Sequence, residues 1–328
     1  MENTAFHFHT LNPDTIVDAL WDTGLRVDSG LTALNSYENR VYQFSDEERR
    51  RYVVKFYRPQ RWSREQISEE HQFALELEQN EVPLAAPLML NGSTLHQHDG
   101  FWFAVFPSLG GRQYETDNED QLESVGRFLG RIHQTGERRL FTARPTIGLQ
   151  EYIEEPARVL QQSDLVPSAL KDTLNDSIAE LSKTLQACWH TRWTTLRLHG
   201  DCHPGNILWR DGPLFVDLDD ARNGPAVQDL WMLVNGDRQQ QRIQWDILLE
   251  AYNEYRDFDI NELSLIEPLR AMRMVYYLAW IVRRWQDPAF PRNFPWMTEE
   301  DFWRRQIASF REQNTVLQQP PLRLMPEY

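Results

Sequence analysis

The first hundred residues alternate between short apolar runs and polar breaks, which is the pattern of a small sheet. The last of the early runs, Arg51 to Tyr57, is rich in the β-branched and aromatic residues that favour extended structure. The polar stretch Ser45–Arg50 predicts an exposed hairpin loop before it. The pattern predicts a short helix over 16–24 and strands over 30–34, 40–44 and 51–57.

A longer helix is predicted between Ser63 and Asn80, where apolar residues recur at helical spacing. Ser63 and Gln66 have the spacing of a capping box at its start. A second hairpin is expected from the apolar runs 88–90 and 101–106. The turn-rich segment 107–111 then separates strand patterns from helical ones, so we predict a domain boundary there.

Beyond residue 118 the apolar positions follow helical periodicity, with one predicted β interlude at 206–217. A helix is predicted from Asn118 onward, where an apolar stripe runs from Leu122 to Ile132, and further helices are predicted near 150–161, 167–188, 225–235, 239–256, 262–285 and 298–314. The sequence therefore predicts an α+β fold, with a small β-rich N-terminal lobe (1–107) and a larger helical C-terminal lobe (108–328).

The net charge, the cysteine content and the apolar runs exclude several classes of protein. The net charge of −15 argues against a nucleic-acid-binding surface, which needs clustered basic residues. We read the acidity as ordinary solubility, with an acidic cleft for cationic substrates as the alternative. Two cysteines in 328 residues do not make a disulfide framework, and the apolar runs predict neither a signal peptide nor a membrane span. We expect a cytoplasmic monomer that binds neither nucleic acid nor membrane.

The chemistry is concentrated in two neighbouring segments, Leu198–Leu208 and Pro213–Asp220. Asp201 lies in a loop between apolar runs, where its carboxylate would orient a hydroxyl and accept its proton. Asn206 and Asp217 offer an amide oxygen and a carboxylate, which are oxygen ligands of the kind that suit Mg²⁺. This spacing predicts phosphoryl transfer from ATP to a hydroxyl.

A transition-metal site is the alternative interpretation of the same loop. The cluster of His199, Asp201 and His203, together with Cys202, offers suitable ligand types for zinc. Alternating residues in a Pro-Gly turn rarely converge on one ion, and zinc would give Asn206 and Asp217 no purpose. We therefore prefer the magnesium interpretation.

The motif His-Gly-Asp-x-His-x-x-Asn-Ile-Leu, followed by Val-Asp-x-Asp-Asp, resembles the catalytic and metal loops of the aminoglycoside phosphotransferase and choline kinase families. The resemblance implies a protein-kinase-like fold of two lobes, with ATP as co-substrate. It implies that Asp201 is the catalytic base and that Asn206 and Asp217 are the magnesium ligands, Asp217 belonging also to the catalytic set.

The same resemblance assigns nucleotide-binding roles in the N-terminal lobe. It implies that Lys55 holds the α- and β-phosphates, paired with Glu70 rather than Glu69, because Glu70 shares the inward helix face with Ile67 and Ala74. Phe106 matches the hinge that meets adenine, and Ser36 is a candidate nucleotide contact. Further along the chain, Asp229 resembles the buried aspartate behind the catalytic loop.

Two features depart from the protein-kinase pattern. The expected phosphate loop, Asn35–Arg40, contains no glycine, so close backbone approach to phosphate is harder. Only 12 positions separate Asp217 from Asp229, and the segment lacks an Ala-Pro-Glu signature. A phosphorylation-gated activation loop is therefore not expected.

The segment Arg270–Pro291 resembles the bacterial stress response kinase A group, and that resemblance extends over essentially the whole chain. It implies phosphorylation of Ser/Thr residues of proteins and of the enzyme itself, in stress response. A small-molecule kinase for choline, homoserine or an aminoglycoside is the first alternative, favoured by the short segment after Asp217. A nucleotide-binding pseudokinase scaffold is the second.

Overall fold

The N-terminal part of the chain forms an antiparallel sheet of five strands. The computed structural model describes residues 8–189 and 192–324. Helix α1 (Pro13–Asp22) precedes the sheet, and α2 (Arg64–Gln79) lies between its third and fourth strands. The strands are β1 (Thr32–Ala33), β2 (Arg40–Ser45), β3 (Arg51–Phe56), β4 (His96–His98) and β5 (Phe101–Pro107). Their order in the sheet is β1-β2-β3-β5-β4.

The two-residue period of β3 divides its side chains between the two faces of the sheet. Val54 and Phe56 join an apolar cluster with Ile16 and Leu20 of α1. Lys55 points to the opposite face, where α2 packs. The alternation thus buries a lysine on the side of the sheet that faces the rest of the protein.

Helix α2 begins where its capping residues predict. The Ser63 side chain accepts a hydrogen bond from the Gln66 backbone, and the Gln66 side chain accepts one from the Ser63 backbone. Phe73, Ala74 and Leu77 bury the later part of the helix in the large core of the C-terminal lobe. Because α2 contacts both parts of the chain, it fixes the sheet relative to the helices.

The C-terminal part is mainly helical, and its packing depends on two close approaches. Gly126 and Gly130 lie against the backbone carbonyls of Leu248 and Tyr252, so a Cβ at either glycine would collide with the backbone of the neighbouring helix. The helices are α3 (Glu119–Gly136), α4 (Glu155–Gln162), α5 (Lys171–Cys188), α6 (Arg238–Tyr252), α7 (Ile266–Arg283), α8 (Ala289–Asn293) and α9 (Glu300–Val316).

Two small sheets lie within this helical part. One joins β7 (Leu196–Leu198) to β10 (Arg222–Gly224), and the other has the order β6-β8-β9, formed by Arg112–Gln113, Ile207–Trp209 and Pro213–Phe215. The expectation of a single β interlude at 206–217 is therefore wrong. The additional strands have two or three residues each, too few to show a period of two in the sequence.

Two other segments differ from their predictions. Residues 225–235 form the 3₁₀ turns Ala226–Asp229 and Trp231–Leu233 instead of an α-helix. The run 88–90 is not a strand of the hairpin, because β4 at His96–His98 pairs with β5 instead. Residues 225–231 are mostly apolar because they are buried, and burial alone does not specify secondary structure. In the run 88–90, by contrast, Met89 is exposed and its two neighbours are half-buried, so the apolar character of this short run does not indicate a paired strand.

The expected domain division after residue 107 stays a prediction. It falls between β5, the last strand of the five-stranded sheet along the chain, and β6, which pairs with β8. Among the described residues, no helix has both the length and the apolar character that crossing a membrane requires.

Candidate active site

Asp201 lies in a tightly turned loop between β7 and β8. Gly200 begins the turn with a φ of +88°, and a Cβ there would collide with the carbonyl oxygen of Asp220. The loop closes with a 3₁₀ turn at Pro204–Asn206, where the His203 ring nitrogen Nδ1 accepts a hydrogen bond of 2.9 Å from the Gly205 backbone. Gly200 and the His203 ring thus fix the path of the backbone on both sides of Asp201.

Asp229 anchors this loop from behind. Its carboxylate accepts hydrogen bonds from the backbone N–H groups of His199 (2.7 Å) and Gly200 (2.8 Å), and its Oδ2 lies 3.0 Å from Nε2 of His133. The Asp229 side chain is completely buried. The arrangement expected of a buried aspartate behind the catalytic loop is present.

Lys55 is buried among three carboxylates. Its Nζ lies 3.6 Å from Glu70, 3.2 Å from Asp217 and 3.1 Å from Asp219. Burial by itself would lower the pKa of Lys55, but the charges of Asp219, Glu70 and Asp217 outweigh it and raise the pKa well above its usual value. The lysine is therefore a fixed positive charge between the sheet and the loop that follows β9.

The structure separates the roles of Glu70 and Glu69. Glu70 pairs with Lys55 and also with Arg144 at 2.8 Å. Glu69 points elsewhere and accepts hydrogen bonds from the backbone of Thr142, Ala143 and Arg144. The choice of Glu70 as the partner of Lys55 agrees with the ion pair observed.

Asp217 and Asn206 can both present oxygen atoms to a cation. Asp217, two residues after the end of β9, takes a left-handed backbone conformation (φ +61°), and its side chain is 52% exposed. The Asn206 side chain donates its amide nitrogen to the Asp201 carbonyl at 2.9 Å, which leaves the amide oxygen for a ligand. A carboxylate and an amide oxygen fit a hard divalent ion such as Mg²⁺, which keeps several waters.

The carboxylate of Asp201 already has a cationic neighbour. Arg273 of α7 donates to Oδ1 of Asp201 at 2.6 Å, and Nε2 of His203 lies 3.5 Å from Oδ2. Burial alone would raise the pKa of Asp201, but His203 and Arg273 outweigh it and hold the pKa well below its usual range. Asp201 is therefore ionised, and Oδ2 is the oxygen that remains for an incoming proton.

A cavity of about 690 Å³ connects these groups. It extends from the sheet, where Ser36 and Phe106 contribute to its wall, to Asp201 and Arg273 at its other end. The structure brings all the predicted residues to one cavity, whose lining includes Ser36, Lys55, Glu70, Phe106, Asp201, Asn206 and Asp217.

The zinc alternative finds no support in this geometry. Nε2 of His199 lies 3.0 Å from the carbonyl oxygen of Val216, and Cys202 is buried in the apolar core. In the part of the chain that the structure describes, no group of three or more His, Cys, Asp or Glu side chains is arranged to hold a metal ion.

Several residues at the site were not predicted from the sequence. Asp219 lies between Lys55 and Arg61, and these two positive charges outweigh the effect of burial, so the pKa of Asp219 is lowered to about 2. Arg144 reaches Glu70 from the segment between α3 and the next helix, and Arg273 reaches Asp201. The position of Asp219, two residues after Asp217, is a sequence feature that could have indicated its role. The contacts of Arg144 and Arg273 could not have been found in this way, because they join segments far apart in sequence.

Comparison with known proteins assigns the family. The sequence profile described as the phosphotransferase enzyme family matches residues 30–265. The chain belongs to this phosphotransferase family. The match includes Lys55, Asp201, Asn206 and Asp217.

This phosphotransferase is similar along its whole length to curated bacterial kinases. It is 65% identical over 328 residues, covering all of both chains, to Stress response kinase A of Escherichia coli strain K12. It is 63% identical, again over the full length of both, to a Salmonella typhimurium protein named Serine/threonine protein kinase RdoA. The resemblance to the stress response kinase A group is confirmed, and the chain is a kinase of the phosphotransferase family.

Solved structures confirm the protein-kinase-like fold of this phosphotransferase. The amicoumacin kinase hAmiN, in complex with AMP-PNP, Ca²⁺ and amicoumacin, matches with a TM-score of 0.69 at 20% identity, covering 89% of each chain. A microcompartment-associated aminopropanol kinase matches with a TM-score of 0.69 at 15% identity, covering 93% of this chain and 96% of that one. At these identities the likeness concerns the fold alone.

Proposed function

We propose that this phosphotransferase transfers the γ-phosphoryl group of ATP, with Mg²⁺, to Ser/Thr hydroxyls of proteins, itself included, in a bacterial stress response. The ion pairs of Lys55 with Glu70 and Asp217, which line the same cavity as Asp201, support the phosphoryl-transfer part. Lys55 would hold the nucleotide phosphates, and Ser36 and Phe106 would contact the nucleotide. Asn206 and Asp217 would hold the magnesium ion, which neutralises charge on the phosphates.

The acceptor hydroxyl reacts at Asp201. The oxygen of the acceptor hydroxyl forms a bond to the γ-phosphorus. At the same time the bond from that phosphorus to the β,γ-bridging oxygen breaks, and ADP leaves. Oδ2 of Asp201 accepts the hydroxyl proton, while Arg273 holds Oδ1 and keeps the carboxylate oriented.

One observation favours a protein acceptor over a cationic small molecule. Every carboxylate that lines the cavity is already ion-paired with a basic side chain among the described residues, so an ammonium group would have to compete with an existing ion pair. These pairs include Asp201 with Arg273, Glu38 with Arg284, and Asp220 with Arg61 and Arg222. Binding an amino alcohol or an aminoglycoside would require breaking one of them.

The test is phosphoryl transfer from labelled ATP with Mg²⁺ to a generic protein acceptor, compared with transfer to choline, homoserine and kanamycin. We expect label on the protein acceptor and on the kinase itself. Asp201→Asn serves as the control for a contaminating kinase. Label on a small molecule alone would refute the protein acceptor.

The small-molecule kinase is the second candidate. It is favoured by the short connection from Asp217 to the 3₁₀ turn at Ala226–Asp229, which leaves no long segment for docking a peptide. It is also favoured by fold neighbours named as kinases of amicoumacin and aminopropanol. The same assay separates the two candidates.

A further inference from the structure

The glycine-free loop 35–39 and the segment 280–287 are distant in sequence and meet in the structure. The loop joins β1 to β2 and contributes to the wall of the cavity. None of its residues takes a positive φ, so its conformation does not require glycine. The contacts of its side chains and backbone with other segments must therefore hold this loop at the cavity.

Glu38 is the centre of those contacts. Its Oε2 accepts a hydrogen bond of 2.6 Å from the indole N–H of Trp280, and its Oε1 accepts one of 2.9 Å from Nη2 of Arg284. Arg58 lies 3.0 Å from the same carboxylate, which is only 12% exposed. Bonds between charged groups that are buried to this degree are among the stronger ones in proteins.

A second set of bonds runs beside the first. Asp287 pairs with Arg40, where β2 begins, and with Arg58, each at 2.9 Å. Arg58 also donates to the backbone carbonyls of Tyr37 and Glu38. The ring of Tyr37 packs 5.3 Å from that of Phe294. The loop is thus bound by residues of α7 and of the segment that follows it.

We infer that Glu38 is a positioning residue, through which Trp280 and Arg284 hold the loop in the conformation that receives the nucleotide phosphates. We call this set of three residues the Glu38 clamp. In glycine-rich loops, close contact of the backbone with phosphate fixes the position of the loop. In this loop, the ion pairs of the Glu38 clamp fix it instead. The inference rests on the proposed function in one respect, which is that the nucleotide received by the loop is ATP.

The test uses Glu38→Gln and Trp280→Phe in the full chain. Glu38→Gln removes the charge at constant size, and Trp280→Phe removes the indole donor while keeping an aromatic ring. The matched control is Glu48→Gln, whose carboxylate is 71% exposed in the neighbouring β2–β3 hairpin and pairs with Arg50. Two readouts are measured: hydrogen exchange of amides 35–39 without nucleotide, and the Kd of a fluorescent ATP analogue with Mg²⁺.

We expect faster exchange across 35–39 in Glu38→Gln and a Kd that rises by about tenfold, which corresponds to one charge-assisted hydrogen bond. Trp280→Phe produces a smaller change of the same sign, and the double variant is less than additive because both act on one contact. The KM for ATP rises while kcat at saturating ATP is kept, a split that general destabilisation would not give. Glu48→Gln matches the wild type.

Unchanged exchange and a Kd within about twofold of wild type in Glu38→Gln would overturn the clamp. Fully additive effects of the two substitutions would also contradict it. Wild-type protein that binds no ATP analogue, yet shows protection of the loop that depends on Glu38, refutes the proposed nucleotide and supports the clamp.

Discussion

Replacing Asp229 with asparagine tests the hydrogen bonds that hold the loop carrying Asp201. Because the side chain keeps its shape, the substitution changes the hydrogen bonding and the charge but not the packing. The carboxylate accepts three donors: the backbone N–H groups of His199 and Gly200, and His133 Nε2. Burial lowers the pKa of His133, against the effect of Asp229, so the ring is neutral and donates from Nε2. Asparagine has only one acceptor oxygen. In either orientation of its amide group, at least one of the three donors therefore faces the NH₂ group, which cannot accept a hydrogen bond.

The cost follows from the burial of this carboxylate, which is complete. The best orientation of the amide loses one hydrogen bond to a charged acceptor and leaves a buried donor unsatisfied, about 3–5 kcal/mol together. With an unfolding entropy proportional to chain length, that loss lowers Tm by about 4–7 °C. We expect turnover to fall as well, since Gly200 directly precedes Asp201.

The assay is thermal unfolding of Asp229→Asn beside Asp257→Asn, in which an exposed aspartate on the same lobe is replaced. The control is expected to unfold with the wild type. A Tm of Asp229→Asn within about 1 °C of wild type would show that the three hydrogen bonds do not hold the loop.

Three further predictions concern the site and its support. Asp201→Asn lowers turnover by about 10²–10⁴ with ATP affinity kept, and full turnover would remove Asp201 from its role. Burial raises the pKa of Glu262 from 4.5 to about 7, so the folded state binds the extra proton and stability falls as pH rises through this window. Unfolding measured against pH should show Glu262→Gln gaining up to about 3 kcal/mol over wild type by pH 7, and a pH-independent difference would contradict this. Gly136→Ala places a Cβ against the Arg197 carbonyl, so chemical denaturation should show a loss of about 2 kcal/mol or more; wild-type stability would refute the close contact.

The parts of the fold that follow local rules could be predicted. The alternation in β3 placed Lys55 on the inner face, and the capping box at Ser63 set the start of α2. The spacing of Asp201, Asn206 and Asp217 follows from one loop and one hairpin, so sequence distance largely determines their separation in space.

The parts that depend on distant contacts could not be predicted. β7 and β10 are three residues long and exist because they pair with each other. Arg273 lies 72 residues from Asp201, and Arg284 lies 246 residues from Glu38, so neither pair leaves a local pattern. The cationic neighbour of the base and the clamp on the loop therefore emerge only in the folded chain.

The acceptor of the labelled phosphoryl group shows whether this phosphotransferase acts on proteins through Asp201. With labelled ATP and Mg²⁺, we expect phosphoserine or phosphothreonine on the protein acceptor, and none when Asp201→Asn replaces the wild type. Label that appears only on choline, homoserine or kanamycin, or transfer to protein that survives Asp201→Asn, would contradict the account.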